Sequence, residues 1–145
     1  MITNFITTIL LVFLSYALVA QTSVIDRIHI LDNVQATKIK TLDGFSECYK
    51  IMFRQPVNHN DTSEGFFYQK IYLSHKSVEK PMVLNVNGYV STSNRINDWT
   101  RTLDANQIYV EHRYFGESKP EKIDYEQLNM FNAASDLHAI KMAFS

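Results

Sequence analysis

The segment YVEHRYFGESKPE, residues 109–121, carries the residue types that a serine hydrolase needs. His112 precedes Ser118 by six residues, and Gly116 places that serine in a Gly-x-Ser pattern. A nucleophile elbow needs G-x-S-x-G, because small residues must flank a serine held in a strained turn. Pro120 occupies the second glycine position, and no other serine lies between paired glycines. A base must also reach the serine oxygen, which the intervening strand and turn do not ensure. We therefore expect no nucleophile in this chain.

The loop after the apolar segment MVLNV, residues 82–86, is a second candidate site. Gly88 would let the backbone turn sharply, and Tyr89 and Val90 would offer N–H groups at the carboxyl end of the strand. Ligands of open α/β sheets bind at that end of the strands. An ordinary strand-to-helix turn is the other interpretation of these residues.

The charge balance argues against a polyanionic partner. The 145 residues include 14 Lys and Arg against 15 Asp and Glu, a formal net charge of −1, with no basic run. Nucleic acids and anionic membranes are bound through clustered cations, so we expect neither as a partner. A content of 46% hydrophobic and 12% aromatic residues predicts a packed core instead.

Metal and disulfide chemistry find no support in the sequence. The single cysteine, Cys48, excludes an internal disulfide and predicts a buried, inert thiol. No CxxC, HExxH or closely spaced histidine pair occurs. We therefore predict neither a metal site nor a cofactor.

Residues 1–20 predict an export signal. No charged side chain occurs from Met1 to Ala20, and polar sequence follows. The apolar part is short for a membrane span, and Ala20 offers a small residue at a cleavage point, as in secretory signal peptides. The missing Lys or Arg at the start and the large Leu18 leave an uncleaved N-terminal anchor as the alternative. Either way we expect an exported protein, periplasmic or extracellular.

Two segments predict an antiparallel hairpin. In CYKIMFRQPV, Tyr49, Ile51 and Phe53 alternate on one face, which predicts a strand over residues 48–54. A polar, turn-forming stretch follows at residues 58–65. The segment FFYQKIYLSH then repeats the alternation and completes the hairpin.

The next segments predict parallel strands joined by a helix. PMVLNVNGYV has a nearly continuous apolar run, which is typical of a strand buried on both faces. Ile96, Trp99 and Leu103 have spacings of three and four, which predicts a short amphipathic helix. QIYVEH predicts another buried strand. This order indicates a right-handed parallel crossover.

The last segment predicts a helix for which a further strand is missing. Asp124 with Gln127 is a plausible capping pair. A helical apolar stripe follows, formed by Met130, Ala133, Leu137, Ile140 and Phe144. Strand and helix alternate, so another parallel strand is expected next. We therefore expect an α/β fold with a lead-in at residues 21–44 and an incomplete N-terminal part of a domain at residues 45–145. A complete small α/β domain is the alternative.

Three blocks of the sequence resemble a known family. FRQPVNHNDTSEGFFYQKIYLSHK, PMVLNVNGYV and LDANQIYVEHRYFGESKP are similar, in order and spacing, to the N-terminal part of the secreted tripeptidyl aminopeptidase family of bacterial serine peptidases. The resemblance covers residues 45–144, and VEHRYFGES is its most specific block. The prolyl carboxypeptidase family is a more distant relative.

The resemblance implies an α/β-hydrolase fold that is truncated before the nucleophile elbow. The triad of such enzymes runs Ser, Asp, His along the chain, so all three would lie beyond Ser145. One oxyanion-hole N–H would come from the loop at Gly88 and Tyr89, with the Tyr89 N–H as first choice. A complete relative would release short peptides from the N-termini of peptide substrates, and the 145-residue chain alone would be inactive.

The resemblance also implies structural roles for the turn after QIYVEH. Gly116 would serve a tight bend, and Ser118 would cap local N–H groups. Arg113 would pair with a carboxylate. Glu111 and His112 would lend structural support from the end of the strand, with support of the residues around the nucleophile as the alternative.

Two departures from the family leave substrate preference open. Asn58 stands where the family often has Asp, and Asn85 and Asn87 stand where relatives often carry acidic residues. Two other classes of protein remain as alternatives. One is a lipase-like or esterase-like α/β-hydrolase, and the other is a non-catalytic exported binding domain.

Overall fold

The computed structural model describes residues 24–144, which contain a five-stranded sheet and three α-helices. The strands are β1 (Val34–Ile39), β2 (Glu47–Pro56), β3 (Phe66–His75), β4 (Met82–Asn87) and β5 (Asn106–Glu111); the helices are α1 (Val24–His29), α2 (Asp98–Thr102) and α3 (Met130–Ala143). The strand order is β1-β2-β3-β5-β4. None of the helices within residues 24–144 has the length and apolar character needed to cross a bilayer. The predicted export signal, residues 1–20, lies outside the described residues.

The predicted hairpin is confirmed as β2 and β3, which pair antiparallel along their whole length. Tyr49, Ile51 and Phe53 are at most 1% exposed, as their alternation predicts. In the connection, Asp61 caps a single 3-10 turn and Gly65 closes it at φ +99°, a conformation that favours glycine. The hairpin thereby places β3 at the centre of the sheet.

β1 lies within residues 21–44, where the sequence indicates only a polar lead-in. It pairs antiparallel with β2, and Val34 and Ala36 pack against the core near the buried Ile28 of α1. The segment VQATKI mixes apolar and polar residues on the same face, so its alternation is weak. For this reason the sequence does not predict the strand.

β4 and β5 form the predicted parallel pair. Every residue of β5 is buried, as expected. β4 is different, because it is the outermost strand of the sheet within the described residues. Met82 is 39% exposed and Val86 is 41% exposed. The prediction that this strand is buried on both faces is therefore wrong for the described part of the chain, since an apolar run favours burial but only covering elements achieve it.

α2 is a short helix of five residues, as predicted, but it buries a different face. The Asn97 side chain caps it by accepting the Trp99 N–H at 2.8 Å. Thr100 is the buried residue, and its hydroxyl donates to Gln107 of β5 at 2.7 Å. Trp99 is 69% exposed and Leu103 is 54% exposed. The predicted apolar face is wrong, because the buried Gln107 binds the polar side of the helix.

The capping residue of α3 also differs from the prediction. The Asn129 side chain accepts the Asn132 N–H at 2.9 Å and caps the helix. Asp124 caps a separate one-turn 3-10 helix, Tyr125–Gln127, through the Glu126 N–H at 3.0 Å. The proposed Asp124 and Gln127 capping pair is therefore wrong for α3. This 3-10 turn separates Asp124 from α3, whereas the sequence pattern places Asp124 at the start of that helix.

The apolar stripe of α3 is buried only over its C-terminal half. Ile140 is fully buried, and Leu137 and Phe144 pack against the core. The Phe144 ring lies 6.5 Å from that of Phe53 in β2, measured between centroids. Met130, at the start of the stripe, is 90% exposed. The core therefore lies between the C-terminal half of α3, α1 and the sheet.

Candidate functional site

Glu111, the last residue of β5, has a fully buried carboxylate that joins three segments. Its Oε1 accepts hydrogen bonds from the Ser118 hydroxyl and the Glu117 N–H, both at 2.9 Å, in the β5 turn (residues 112–118). Its Oε2 accepts the Ser91 N–H at 2.6 Å, from the β4 loop (residues 88–91). The same oxygen lies 3.0 Å from Nζ of Lys70 in β3. An ionised carboxylate is an acceptor only, with about four lone-pair positions, so these donors satisfy it.

Lys70 supplies the buried counter-charge, with only 4% of its side chain exposed. Its Nζ also lies 3.0 Å from Glu117, which in turn contacts Lys50 at 2.6 Å. Burial works to lower the pKa of Lys70, but hydrogen bonds to Glu111 and Glu117 outweigh it and hold that pKa above its usual value. Hydrogen bonds from Lys50 and Lys70 hold the pKa of Glu117 below its usual value. The four side chains thus alternate in charge from the surface to the buried carboxylate.

The close approach of Glu111 requires a glycine at position 116. Gly116 has φ +51°, and a Cβ there would lie 2.6 Å from Glu111 Oε2 and 2.8 Å from Val90 Cγ2. Tyr114 also has a positive φ, +70°, and its N–H donates to the Ser118 carbonyl at 2.6 Å. The β5 turn is therefore folded tightly against both the carboxylate and the β4 loop.

The structure does not bring Ser118 and His112 together by any hydrogen bond between described residues. The Ser118 hydroxyl is fully buried, donates to Glu111 at 2.9 Å and accepts the Lys70 N–H at 2.9 Å. His112 uses its Nδ1 with the carbonyl of Arg113 at 2.9 Å and packs edge-on against Phe115. The base that Ser118 contacts is therefore the buried Glu111 carboxylate and not a histidine, and the serine hydroxyl, fully buried, orders the turn.

Arg113 is fully buried and uses every N–H of its guanidinium. Nε and Nη2 donate to the two carboxylate oxygens of Asp136 in α3, at 2.7 Å and 3.0 Å. Nη1 donates to the carbonyls of Val57 and Gln127 at 3.0 Å and 2.7 Å, and Nη2 donates to that of Pro56 at 3.0 Å. A guanidinium has five N–H donors, so none is left unpaired. Arg113 therefore fixes the β5 turn to the end of β2 and to α3.

The Asp136 carboxylate has a second partner residue in the connection between β2 and β3. Its Oδ1 lies 2.7 Å from Nε2 of His59, whose backbone N–H donates to Asn132 Oδ1 at 3.0 Å. Asn132 and Asp136 are both buried, one turn apart on α3. These polar residues dock the first half of α3 on the hairpin, where its apolar stripe does not reach the core.

The β4 loop holds Gly88 and Tyr89, the expected oxyanion-hole residues. A Cβ at Gly88 would meet no atom within 4 Å, and its φ lies outside the left-handed region. The backbone bends at Gly88 and Tyr89, but the bend uses a conformation that other residues also adopt. The Tyr89 ring is 71% exposed and packs edge-on against Phe115 of the β5 turn, with 5.6 Å between centroids. The Asn87 side chain donates to the Val90 carbonyl at 2.8 Å and closes the loop.

An apolar cavity of about 240 Å³ lies beside this site, between the carboxyl ends of the parallel strands and α3. Val86, Val110 and Leu137 form its apolar walls. His112 and Arg113 border it from the β5 turn. The cavity therefore adjoins the β5 turn and the last residues of β4, at the end of the sheet where α/β proteins bind ligands.

Several residues of the site escape prediction from the sequence. Lys70 and Asp136 look like ordinary charges on a strand and a helix, and Ser91 contributes only its backbone N–H. Glu117 is one more charge in a polar turn. The period gives no signal for Lys70, because Phe67, Ile71 and Leu73 share one face of β3 and Lys70 falls on the other; its burial is seen only in the structure. Within residues 24–144, no cluster of His, Cys, Asp and Glu has the geometry to hold a metal ion.

The sequence matches a known peptidase family over most of its length. A profile of the PS-10 peptidase S37 family matches residues 20–145, and the chain belongs to that family. The prolyl tri/tetrapeptidyl aminopeptidase of Streptomyces mobaraensis is 35% identical over 125 residues, which cover 85% of this chain and 26% of that protein. The chain thus spans about a quarter of the length of the curated relative it matches. The resemblance drawn from the three sequence blocks is confirmed.

Proposed function

We propose that this chain is the N-terminal part of an exported serine-type exopeptidase of the tripeptidyl aminopeptidase type. The complete enzyme would cleave short peptides from the N-termini of peptide substrates by acyl-enzyme chemistry. Membership of the peptidase family supports the reaction class. The name of the Streptomyces relative supports action at peptide N-termini. An antiparallel hairpin followed by a parallel pair supports an α/β-hydrolase fold.

The observation that carries this proposal is the joint anchoring of the β4 loop and the β5 turn on Glu111. Ser91 of the loop and Ser118 of the turn bind the same carboxylate, at 2.6 Å and 2.9 Å. Both segments follow the carboxyl ends of parallel strands, where α/β-hydrolases assemble their active sites. A loop so rigidly held can present fixed N–H groups to a substrate.

The β4 loop would supply one half of the oxyanion hole. In α/β-hydrolases one N–H comes from the residue after the nucleophile, and the other from the loop after the third hydrolase strand. That strand corresponds to β4 here, so the Tyr89 N–H is the first candidate and the Gly88 N–H the second. A well-aimed donor of this kind contributes about 3 kcal/mol to transition-state stabilisation.

The catalytic serine, aspartate and histidine would lie outside these 145 residues. Their order along the chain in α/β-hydrolases is Ser, Asp, His, and the nucleophile elbow would follow the strand after α3. Only 26% of the length of the Streptomyces relative matches this chain, and the rest of that protein is long enough to contain the three catalytic residues. Ser118 is occupied by Glu111 and Lys70 and would have no catalytic role.

A side-by-side assay tests the proposal. The 145-residue chain and the polypeptide of the complete reading frame are supplied with tripeptidyl p-nitroanilides and with a fluorophosphonate label. We expect the longer polypeptide to release p-nitroaniline and to be labelled at a serine beyond Ser145. The 145-residue chain should do neither, and Ser118→Ala in the longer polypeptide should still be labelled at that serine beyond Ser145. Turnover by the 145-residue chain with labelling of Ser118 would refute the proposal.

The same assay separates the alternatives. Hydrolysis of p-nitrophenyl acyl esters without release of tripeptides would identify an esterase-like or lipase-like enzyme. A reading frame that stops directly after Ser145 would instead support an exported binding domain without catalysis. Each of these results would overturn the exopeptidase proposal.

A further inference from the structure

We infer that Glu111 is the positioning residue that holds the β4 loop in its active geometry, and that it does so as a carboxylate. This inference rests on the proposed function, because it assigns the oxyanion N–H to that loop. Glu111 itself is buried and would touch no substrate. It acts through the backbone N–H of Ser91, two residues after Tyr89.

The first step of the argument is the strength of the contact to the loop. The Ser91 N–H donates to Glu111 Oε2 at 2.6 Å, and Ser91 is itself only 2% exposed. Hydrogen bonds to an ionised acceptor are shorter and about twice as strong as neutral ones. A buried bond of this kind fixes the end of the loop in one place.

The second step is that the carboxylate cannot move without losing other partners. Oε1 is held by the Ser118 hydroxyl and the Glu117 N–H of the β5 turn. Oε2 is shared between the Ser91 N–H and the ammonium of Lys70. All four groups are donors, so each oxygen must be an acceptor. A glutamine would keep the shape but would turn an N–H₂ group toward donors on one side or the other.

The third step is that the β5 turn supports the loop from the opposite side. The Phe115 ring packs edge-on against Tyr89 at 5.6 Å, and the Gly116 Cα faces both Glu111 and Val90. The β5 turn therefore packs against Val90, which precedes Ser91, and against Tyr89, the proposed donor. Because the turn is bound to the same carboxylate, release of Glu111 loosens the loop from two directions.

The expected consequence is a loss of turnover with little loss of substrate binding. A donor aimed at the oxyanion acts in the transition state more than in the ground state. Displacement of a catalytic group by about 1 Å can cost about 100-fold in rate. A structural role alone would alter the stability of the protein, but it would not lower kcat while leaving KM nearly unchanged.

The test compares Glu111→Gln with Glu117→Gln in the polypeptide of the complete reading frame. Both variants remove a carboxylate that contacts Lys70, but only Glu111 also binds Ser91. For Glu111→Gln we expect kcat to fall about 10- to 100-fold, with KM within about threefold of the unsubstituted enzyme. For Glu117→Gln we expect kcat to change by less than about twofold. Equal falls in kcat in the two variants, or a rise in KM with kcat unchanged, would overturn the inference.

A second readout is amide hydrogen exchange of the β4 loop, measured by mass spectrometry on the same proteins. We expect exchange to be about tenfold faster in Glu111→Gln and unchanged in Glu117→Gln. If the unsubstituted enzyme cleaves no peptide, the proposed function fails, and exchange alone decides the inference: faster exchange supports the anchoring of the loop, and equal exchange refutes it. If Glu111→Gln does not fold, Glu111→Asp is measured instead. That variant keeps the charge beside Lys70 but is too short to bind both segments, so the same kcat loss is expected.

Discussion

Arg113 and Asp136 form a two-pronged ion pair in which neither side chain is more than 1% exposed. Nε and Nη2 of Arg113 meet the two carboxylate oxygens of Asp136 at 2.7 Å and 3.0 Å. The pair connects the β5 turn to α3 in a region where the apolar stripe of the helix does not reach the core. Fixed planar geometry and full hydrogen bonding are what make a buried ion pair tolerable.

Substitution Arg113→Lys should therefore destabilise the protein despite keeping the charge. Lysine has three donors in place of five and no planar fork, so several buried carbonyls would lose their partners. We expect the free energy of unfolding to fall by about 2–4 kcal/mol, measured by urea denaturation. Arg101→Lys is the matched control, because Arg101 pairs with Asp98 while 67% exposed. Its effect should stay within about 0.5 kcal/mol, and equal losses in the two variants would contradict the role given to Arg113.

Substitution Gly116→Ala should be more harmful than Gly44→Ala. Both glycines have positive φ, +51° and +80°, so both variants carry the left-handed penalty of about 1 kcal/mol. Only at Gly116 would the new Cβ also collide with the Glu111 carboxylate, at 2.6 Å, whereas Gly44 has no neighbour within 4 Å. Overpacking adds about 1–3 kcal/mol. Thermal denaturation of the two variants checks the difference, and similar melting temperatures would show that the close contact is absent.

Alkaline pH should weaken the fold through Tyr49. Burial, followed by the hydrogen bond and negative charge of Glu47, raises the pKa of Tyr49 to about 12. The phenol is thus favoured in the folded state. Its contribution is fully present below the unfolded pKa of about 10 and is lost as the pH rises toward about 12.

The measurement compares the free energies of unfolding of the unsubstituted chain and Tyr49→Phe across this range. The advantage of tyrosine over phenylalanine should shrink, by on the order of 2 kcal/mol, between about pH 9 and about pH 12. Tyr125→Phe, which alters a ring that is 73% exposed, controls for the loss of a hydroxyl. A constant difference between the chain and Tyr49→Phe would contradict the assigned pKa.

The outer edge of β4 should make the 145-residue chain self-associate. β4 is the last strand of the described sheet, and Val86 on it is 41% exposed. An apolar strand with an open edge is a template for pairing with another chain. Val86→Lys should reduce the association, because a charge on such a strand opposes pairing.

Sedimentation velocity over a range of concentrations checks this expectation. Val78→Lys is the matched control, since Val78 is also a valine and is 61% exposed but lies between strands. It should leave the association unchanged. A stable monomer of the unsubstituted chain with a cooperative melt would contradict the prediction.

Local patterns were sufficient for the hairpin and for the parallel pair. Tyr49, Ile51 and Phe53 recur at every second position because one face of β2 packs against the core, and this period is visible in the sequence. The nearly continuous apolar run of β4 also predicts a strand, because such a run is typical of a buried strand. It does not predict exposure, because Val86 is covered or open according to elements elsewhere in the chain. The buried face of α2 is equally hard to predict, because Thr100 is buried where its hydroxyl binds Gln107 of β5.

From β2 onward, the type and order of the helices and strands follow from the sequence alone, as does the lack of a nucleophile elbow around Ser118, because periodicity and short motifs are local properties. The network around Glu111 does not follow from it. The antiparallel register of β3 and β5 sets Ile71 opposite Val110, which brings Lys70 next to Glu111. Two charges far apart in the chain become partners only when the strands pair. Their burial then makes each depend on the other, since neither could remain unpaired in the core.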